Sequence, residues 1–151
     1  PNAIKLAGIR YPKDQDETKF SIFYTLACAL MNGNYGISDM NPPNLSDKIR
    51  KLIERTELIP DESMEDRIRG IRGARIEIIT NDGAVLEETI TVPKGDPENP
   101  LTQNDIINKL KVCSTGIADD AIIQRLIDMI STFGGDKPFI NPMKLTIATE
   151  S

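Results

Sequence analysis

The chain contains no histidine and no tryptophan, only two cysteines, and few aromatic residues of any kind. The missing histidine excludes the most. Imidazole is the commonest general acid/base and a frequent metal ligand. Without it, this chain alone cannot carry Ser-His-Asp or Cys-His chemistry. A zinc site is also short of ligands, because Cys28 and Cys113 are distant in sequence and each sits in an apolar helical pattern. Two such cysteines make no disulfide framework, and they fit a reducing, cytoplasmic setting. A surplus of basic charge is missing as well. The formal net charge is −5, so the phosphate neutralisation that nucleic-acid binding requires is not on offer. No apolar run is long enough to span a membrane, and no signal peptide opens the chain. No glycine pattern matches a phosphate loop: Gly70 and Gly73 are spaced unlike any nucleotide fingerprint. With aromatics at 5%, aliphatic residues must fill the core, isoleucine above all.

What is present is organised around Val92-Pro93-Lys94-Gly95-Asp96-Pro97-Glu98-Asn99-Pro100. Three prolines and a glycine in nine residues cannot sit inside a helix or a central strand, so this stretch is a joint. Before it, the pattern is mixed. Ala3 to Arg10 is apolar with partial alternation and reads as a strand. Tyr11 to Glu17 is a polar loop. Thr18 to Met31 reads as a helix capped by Thr18 or Ser21 and stopped by Asn32-Gly33, with Phe23, Leu26, Ala27 and Leu30 at helical spacing. Its apolar surface calls for burial on more than one side. Leu45 to Arg55 is an amphipathic helix with Leu45, Ile49, Leu52 and Ile53 inward, capped by Asn44 or Ser46. Glu57 to Pro60 reads as a short edge strand.

Ala74–Thr80 and Ala84–Val92 are strands joined by Asn81-Asp82-Gly83, because glycine accepts the positive φ that the turn demands. Ile76 and Ile78 share one face, as do Leu86, Ile90 and Val92, and the opposite face is polar. Arg67, Arg69, Arg72 and Arg75 form a basic cluster that suits carboxylates. The acids around it (Glu57, Asp61, Glu62, Glu65 and Asp66) favour a solvated loop instead.

After the joint the sequence is helical. Thr102, with Asp105 three residues on, opens a helix to about Ser114 whose stripe is Ile106, Ile107, Leu110 and Cys113. Ile117 to Phe133 forms a second, apolar enough to need partners on two sides, and Gly134-Gly135 ends it. The start at Pro1, without Met, is what a piece of a longer protein would show. The expected fold class is α+β: a small antiparallel sheet with a hairpin packed by helices, then two helices belonging to an all-α domain.

Two stretches resemble the MmgE/PrpD family. Thr18-Lys19-Phe20-Ser21-Ile22-Phe23-Tyr24-Thr25-Leu26-Ala27 is similar to that family's AKFSLPYCLA segment. Asp82-Gly83, followed by Val92-Pro93-Lys94-Gly95-Asp96-Pro97-Glu98-Asn99-Pro100-Leu101-Thr102, is similar to its DG…YPKGDPENPLS segment. The chain departs from the pattern at Thr18, where the family has Ala, and at Phe23, where it has Pro. The family includes 2-methylcitrate dehydratase, cis-aconitate decarboxylase and iminodisuccinate epimerase. The resemblance implies proton abstraction next to a carboxylate of a small di- or tricarboxylic acid, such as 2-methylcitrate of propionate metabolism, with no metal or other cofactor.

The family's architecture implies an α+β lid at 1–92, a hinge at 93–100, and helices at 101–151 that return to a large helical domain. The acid/base residues would lie in that domain, ahead of Pro1, so this chain carries no catalytic residue and is inactive alone. The expected partners are the substrate, the helical domain and a second copy in a homodimer. Four residues are candidate substrate contacts: Lys19 and Ser21 where a helix begins, and Lys94 and Gly95 at the joint. Each also has an ordinary structural role, as surface lysine, N-cap or turn glycine. Tyr24 fits core packing better than the cleft. Cys28 and Cys113 fit small buried hydrophobes better than nucleophiles. A stand-alone module binding a carboxylate metabolite or a catalytic partner chain is the competing reading, and a dimerisation domain built on Ile117–Phe133 is a third.

Overall fold

A computed structural model describes residues 2–41, 44–66 and 71–131, and the fold is α+β. The chain divides into two compact units, Pro1–Pro93 and Lys94 onward. In the first, α1 (Asn2–Ala7) leads to the one-turn helix α2 (Gln15–Thr18), then α3 (Ile22–Asn32), a 3-10 turn at Ile37–Met40, and α4 (Asp47–Arg55). A second 3-10 turn at Glu62–Met64 precedes the short strands β1 (Glu65–Asp66) and β2 (Ile71–Arg72), and the hairpin β3 (Ala74–Ile79) with β4 (Val85–Ile90) follows. The second unit holds α5 (Gln103–Ser114) and α6 (Asp120–Ser131).

The first segment is a correction. Ala3 to Arg10 is not a strand, because α1 occupies its start and only Gly8 makes a bridge, antiparallel to Ser21. The alternation was partial, and Ala3, Lys5, Leu6 and Ala7 are good helix formers, so nothing opposes a turn of helix there. Gly8 is needed where the chain leaves α1: a Cβ at that position would meet the Ile4 carbonyl oxygen at 2.4 Å.

The run from Thr18 is split. Asp14 caps α2 by accepting from the Glu17 amide at 2.8 Å, and Thr18 ends that helix instead of opening the next. Ser21 is the N-cap of α3, its hydroxyl accepting from the Tyr24 amide at 3.0 Å. Gly33, at φ 77°, closes α3 with its amide on the Ala29 carbonyl.

The core of this unit lies between α3 and α4. Phe23, Tyr24, Ala27 and Cys28 pack on Ile49 and Ile53, with Tyr35, Leu45, Leu52 and Leu58 around them. The buried stripe of α3 therefore includes Tyr24 and Cys28, whereas Leu30 is exposed and Leu26 half-buried. Met31, near the end of the same helix, also faces out, so among the described residues the burial of α3 is centred on the α4 side. Ser46 caps α4 through the Ile49 amide at 3.4 Å. Glu57 to Pro60 is not a strand: it pairs with no strand among the described residues. Pro60 has no amide to offer a ladder.

The hairpin has the expected register, Ala74 opposite Ile90 and Ile78 opposite Leu86. Gly83, at φ 86°, turns the chain, and the Thr80 amide donates to the Ala84 carbonyl at 2.9 Å. The Thr80 hydroxyl also donates to the Asp82 carboxylate, which holds that carboxyl below its usual range. Ile76 and Ile78 are half-buried, but Leu86 is 58% and Ile90 54% exposed, and neither strand joins the buried core.

In the second unit, Thr102 and Asp105 form the capping box of α5. α6 begins later than the sequence pattern indicated. Ile117 and Ala118 form a turn, and the Asp119 carboxylate accepts from the Ile122 amide at 2.8 Å, which sets the start. Ile123, Leu126 and Ile127 are its buried residues, while Ile130 is 57% exposed. On α5, Ile107 and Leu110 are half-buried, but Ile106 and Cys113 are exposed. The expected helix end at Phe133-Gly134-Gly135 lies outside the described residues.

Candidate functional site

The sequence candidates divide between the units. In the first, Ser21 is the N-cap of α3, but Lys19 is the C-cap of α2, so it does not open the long helix. The Lys19 ammonium pairs with Asp16 at 2.9 Å across one turn, and that bond is the main cause holding its pKa above the usual lysine value. Its side chain is about half exposed, at 49%. Ser21 is 1% exposed, and its hydroxyl is engaged in capping.

Lys94 and Gly95 open the second unit. Gly95 sits at φ 106°, a conformation L side chains avoid, and its amide donates to the Asn99 carbonyl at 2.7 Å. The Lys94 ammonium meets the Asp105 carboxylate at 2.6 Å, and the same carboxylate accepts from the Thr102 amide and hydroxyl. The joint is thereby tied to the first turn of α5. Three donors on one carboxylate, Lys94 first, bring the Asp105 pKa down to about 2.

A carboxyl whose pKa is depressed on folding stabilises the folded state above its ordinary pKa, ~4, and loses that contribution as the pH falls through the folded value. The thermal stability of α5 should therefore decline between roughly pH 4 and pH 2. Asp105→Asn should flatten the decline, as circular dichroism melts across that range would show.

One cation escaped the sequence reading. Arg10 reaches 43 residues along the chain to the end of α4, where it donates to the Ile53 carbonyl at 2.9 Å and the Thr56 carbonyl at 3.4 Å. The Ile53 carbonyl also accepts from the Thr56 amide at 3.2 Å, and both carbonyls lie at the negative end of α4, where a cation is favoured. The guanidinium carbon lies 4.2 Å from the centroid of the Phe23 ring. Tyr11 is held beside it, its ring under Arg50 at 5.9 Å. An open groove of about 450 Å³ runs past Arg10, lined by Ile4, Gly8, Phe23, Glu57, Leu58 and Ile59. Local sequence gave no sign of this, because every contact is long-range. The nearest clue was Phe23 standing where the family segment has proline.

The basic cluster is only partly visible. Arg67 and Arg69 lie outside the described residues. Arg75 acts on Asp61, whose carboxyl is held low chiefly by the Ser63 hydroxyl and amide. Among the described residues, no group of three His, Cys, Asp or Glu side chains is placed to hold a metal ion. No described helix is long and apolar enough to cross a membrane.

Residues 1–133 match the MmgE/PrpD C-terminal domain. The chain belongs to the MmgE/PrpD family. It is also 30% identical over 105 residues to a cis-aconitate decarboxylase-like protein, oryM, of Aspergillus oryzae. That alignment covers 68% of this chain and 21% of the relative, so the chain spans about a fifth of the length of the curated protein it matches. In this MmgE/PrpD domain, the familiar segment from Thr18 supplies the N-cap and buried face of α3, and the segment from Val92 supplies the joint and the α5 cap.

Proposed function

We propose that this MmgE/PrpD domain is the lid part of a lyase or isomerase acting on a small di- or tricarboxylic acid, by proton abstraction next to a carboxylate. The family match over residues 1–133 carries this reading, and the kinship to a cis-aconitate decarboxylase-like protein supports the substrate class. Because the chain has no histidine, a helical domain would supply the acid/base groups. The lid's own contribution is to exclude water and to offer cations and donors to the substrate carboxylates. Lys19 and Lys94 are the lid's candidate cations, each already held by one carboxylate and each about half exposed, so each retains donors for a second.

The test is solvent exchange. In D₂O, the full-length protein is expected to place deuterium next to a carboxylate of citrate, 2-methylcitrate or cis-aconitate, or to convert one of them, as followed by NMR. The 151-residue chain alone is expected to do neither. Absence of both exchange and conversion with the full-length protein would reject this reading, and so would turnover by this chain unaided.

A further inference from the structure

We infer that the groove beside Arg10 is a binding site for a small monocarboxylate with an apolar end, a site separate from any dicarboxylate chemistry. Its centre is an oriented cation. A guanidinium carries five N–H donors in a rigid fork. Here the bonds to Ile53 and Thr56 fix one edge, and the Phe23 ring fixes one face. Arg10 lines the groove, and among the described residues no carboxylate pairs with it, so the guanidinium keeps N–H donors beyond the two that bind Ile53 and Thr56. A carboxylate is the group that such a fork accepts by two parallel hydrogen bonds.

The rest of the lining defines what hangs from that carboxylate. Ile4, Phe23, Leu58 and Ile59 give apolar wall, and Ile59 is 79% exposed, so an apolar ligand tail would cover surface that the chain leaves to water. The volume of about 450 Å³ suits a small molecule. Glu57 lines the same groove. It repels a second carboxylate and accepts from a hydroxyl or an ammonium. The chemistry therefore selects a short-chain acid bearing one carboxylate, one donor and an aliphatic end, and disfavours citrate-like acids.

Isothermal titration calorimetry of the full-length protein with 3-hydroxybutyrate and with tricarballylate tests this. 3-Hydroxybutyrate is expected to bind saturably. Arg10→Gln is expected to weaken it at least ~10-fold, the loss of a charge-assisted pair. That variant also loses the tie to α4, so Ile59→Asp provides a second measurement. It adds a repelling carboxylate at an exposed wall position where folding has little to lose, and it should weaken binding by a similar factor. Unchanged affinity in Ile59→Asp, or tricarballylate binding more tightly than 3-hydroxybutyrate in a manner that Arg10→Gln abolishes, would overturn the assignment. Deuterium exchange into dicarboxylates is a separate readout, so failure here and failure of the lyase reading are distinguishable.

Discussion

Replacing Tyr24 with alanine is expected to destabilise the first unit by ~3–5 kcal/mol, the range for removing a buried aromatic ring. Tyr24 is 0% exposed and sits in the middle of the α3–α4 core. Its ring meets Tyr35 edge-on, with centroids 6.3 Å apart, and its hydroxyl donates to the Asp39 carbonyl at 2.6 Å. That bond ties α3 to the 3-10 turn that follows it. Alanine would lose the ring, the edge contact and the tie together. Phenylalanine would lose only the tie, at about 1 kcal/mol. Urea denaturation followed by circular dichroism ranks the three proteins, and an alanine variant as stable as the parent would show that the ring does not fill the core.

The phenol also predicts a pH dependence. Burial, the largest cause, raises the Tyr24 pKa above its ordinary value. The neutral form is the one the folded state favours, so stability is intact below the ordinary tyrosine pKa of ~10 and falls as the pH rises past it. Tyr24→Phe should be less sensitive to pH in that alkaline range.

The parts of this molecule that were legible in sequence are those governed by neighbours along the chain. Ser46 before Asp47, Thr102 before Asp105 and Gly33 after Asn32 mark helix ends because a cap is a local hydrogen bond. Asp82-Gly83 marks the hairpin for the same reason, since the turn's positive φ is a property of one residue. The run at Ala3–Arg10 was different. Apolar residues at Ile4, Leu6 and Ile9 are compatible with strand or helix, and what decides is the surrounding structure: Gly8 bridges Ser21, and the Ile9 amide bonds the Phe20 carbonyl at 3.2 Å. The inner face of α3 includes Phe23 and Ala27 of the apolar stripe together with Tyr24 and Cys28, whose burial their types also allow, but it leaves out Leu26 and Leu30 for a related reason. Tyr24 and Cys28 count as less apolar than Leu26 and Leu30, yet the orientation of α3 against Ile49 and Ile53 buries the former pair. Arg10 was invisible because its partners, Phe23, Ile53 and Thr56, lie 13 to 46 residues away and carry no signature for a cation.

The two thiols are expected to differ in reactivity by at least ~10³-fold, which corresponds to an opening free energy of about 4 kcal/mol for a buried core position. Cys113 is exposed on α5. Cys28 is 1% exposed in the core of the first unit, and burial, the largest cause, raises its pKa, so it is both shielded and poor in thiolate. An aromatic disulfide reagent should therefore titrate one thiol at once and the second only as the α3–α4 core opens. Because the cysteines lie on different units, adding urea should accelerate Cys28 while Cys113 stays fast, and the Cys28 rate then reports the opening of the first unit alone. Combining this with Tyr24→Ala sharpens the test: a variant that weakens the α3–α4 core should accelerate Cys28 labelling by the factor its destabilisation predicts, tenfold for each ~1.4 kcal/mol, and leave Cys113 untouched. Equal labelling of both thiols in native buffer would mean that α3 does not hold Cys28 against α4, and with it would go the packing that orients Phe23 beneath Arg10.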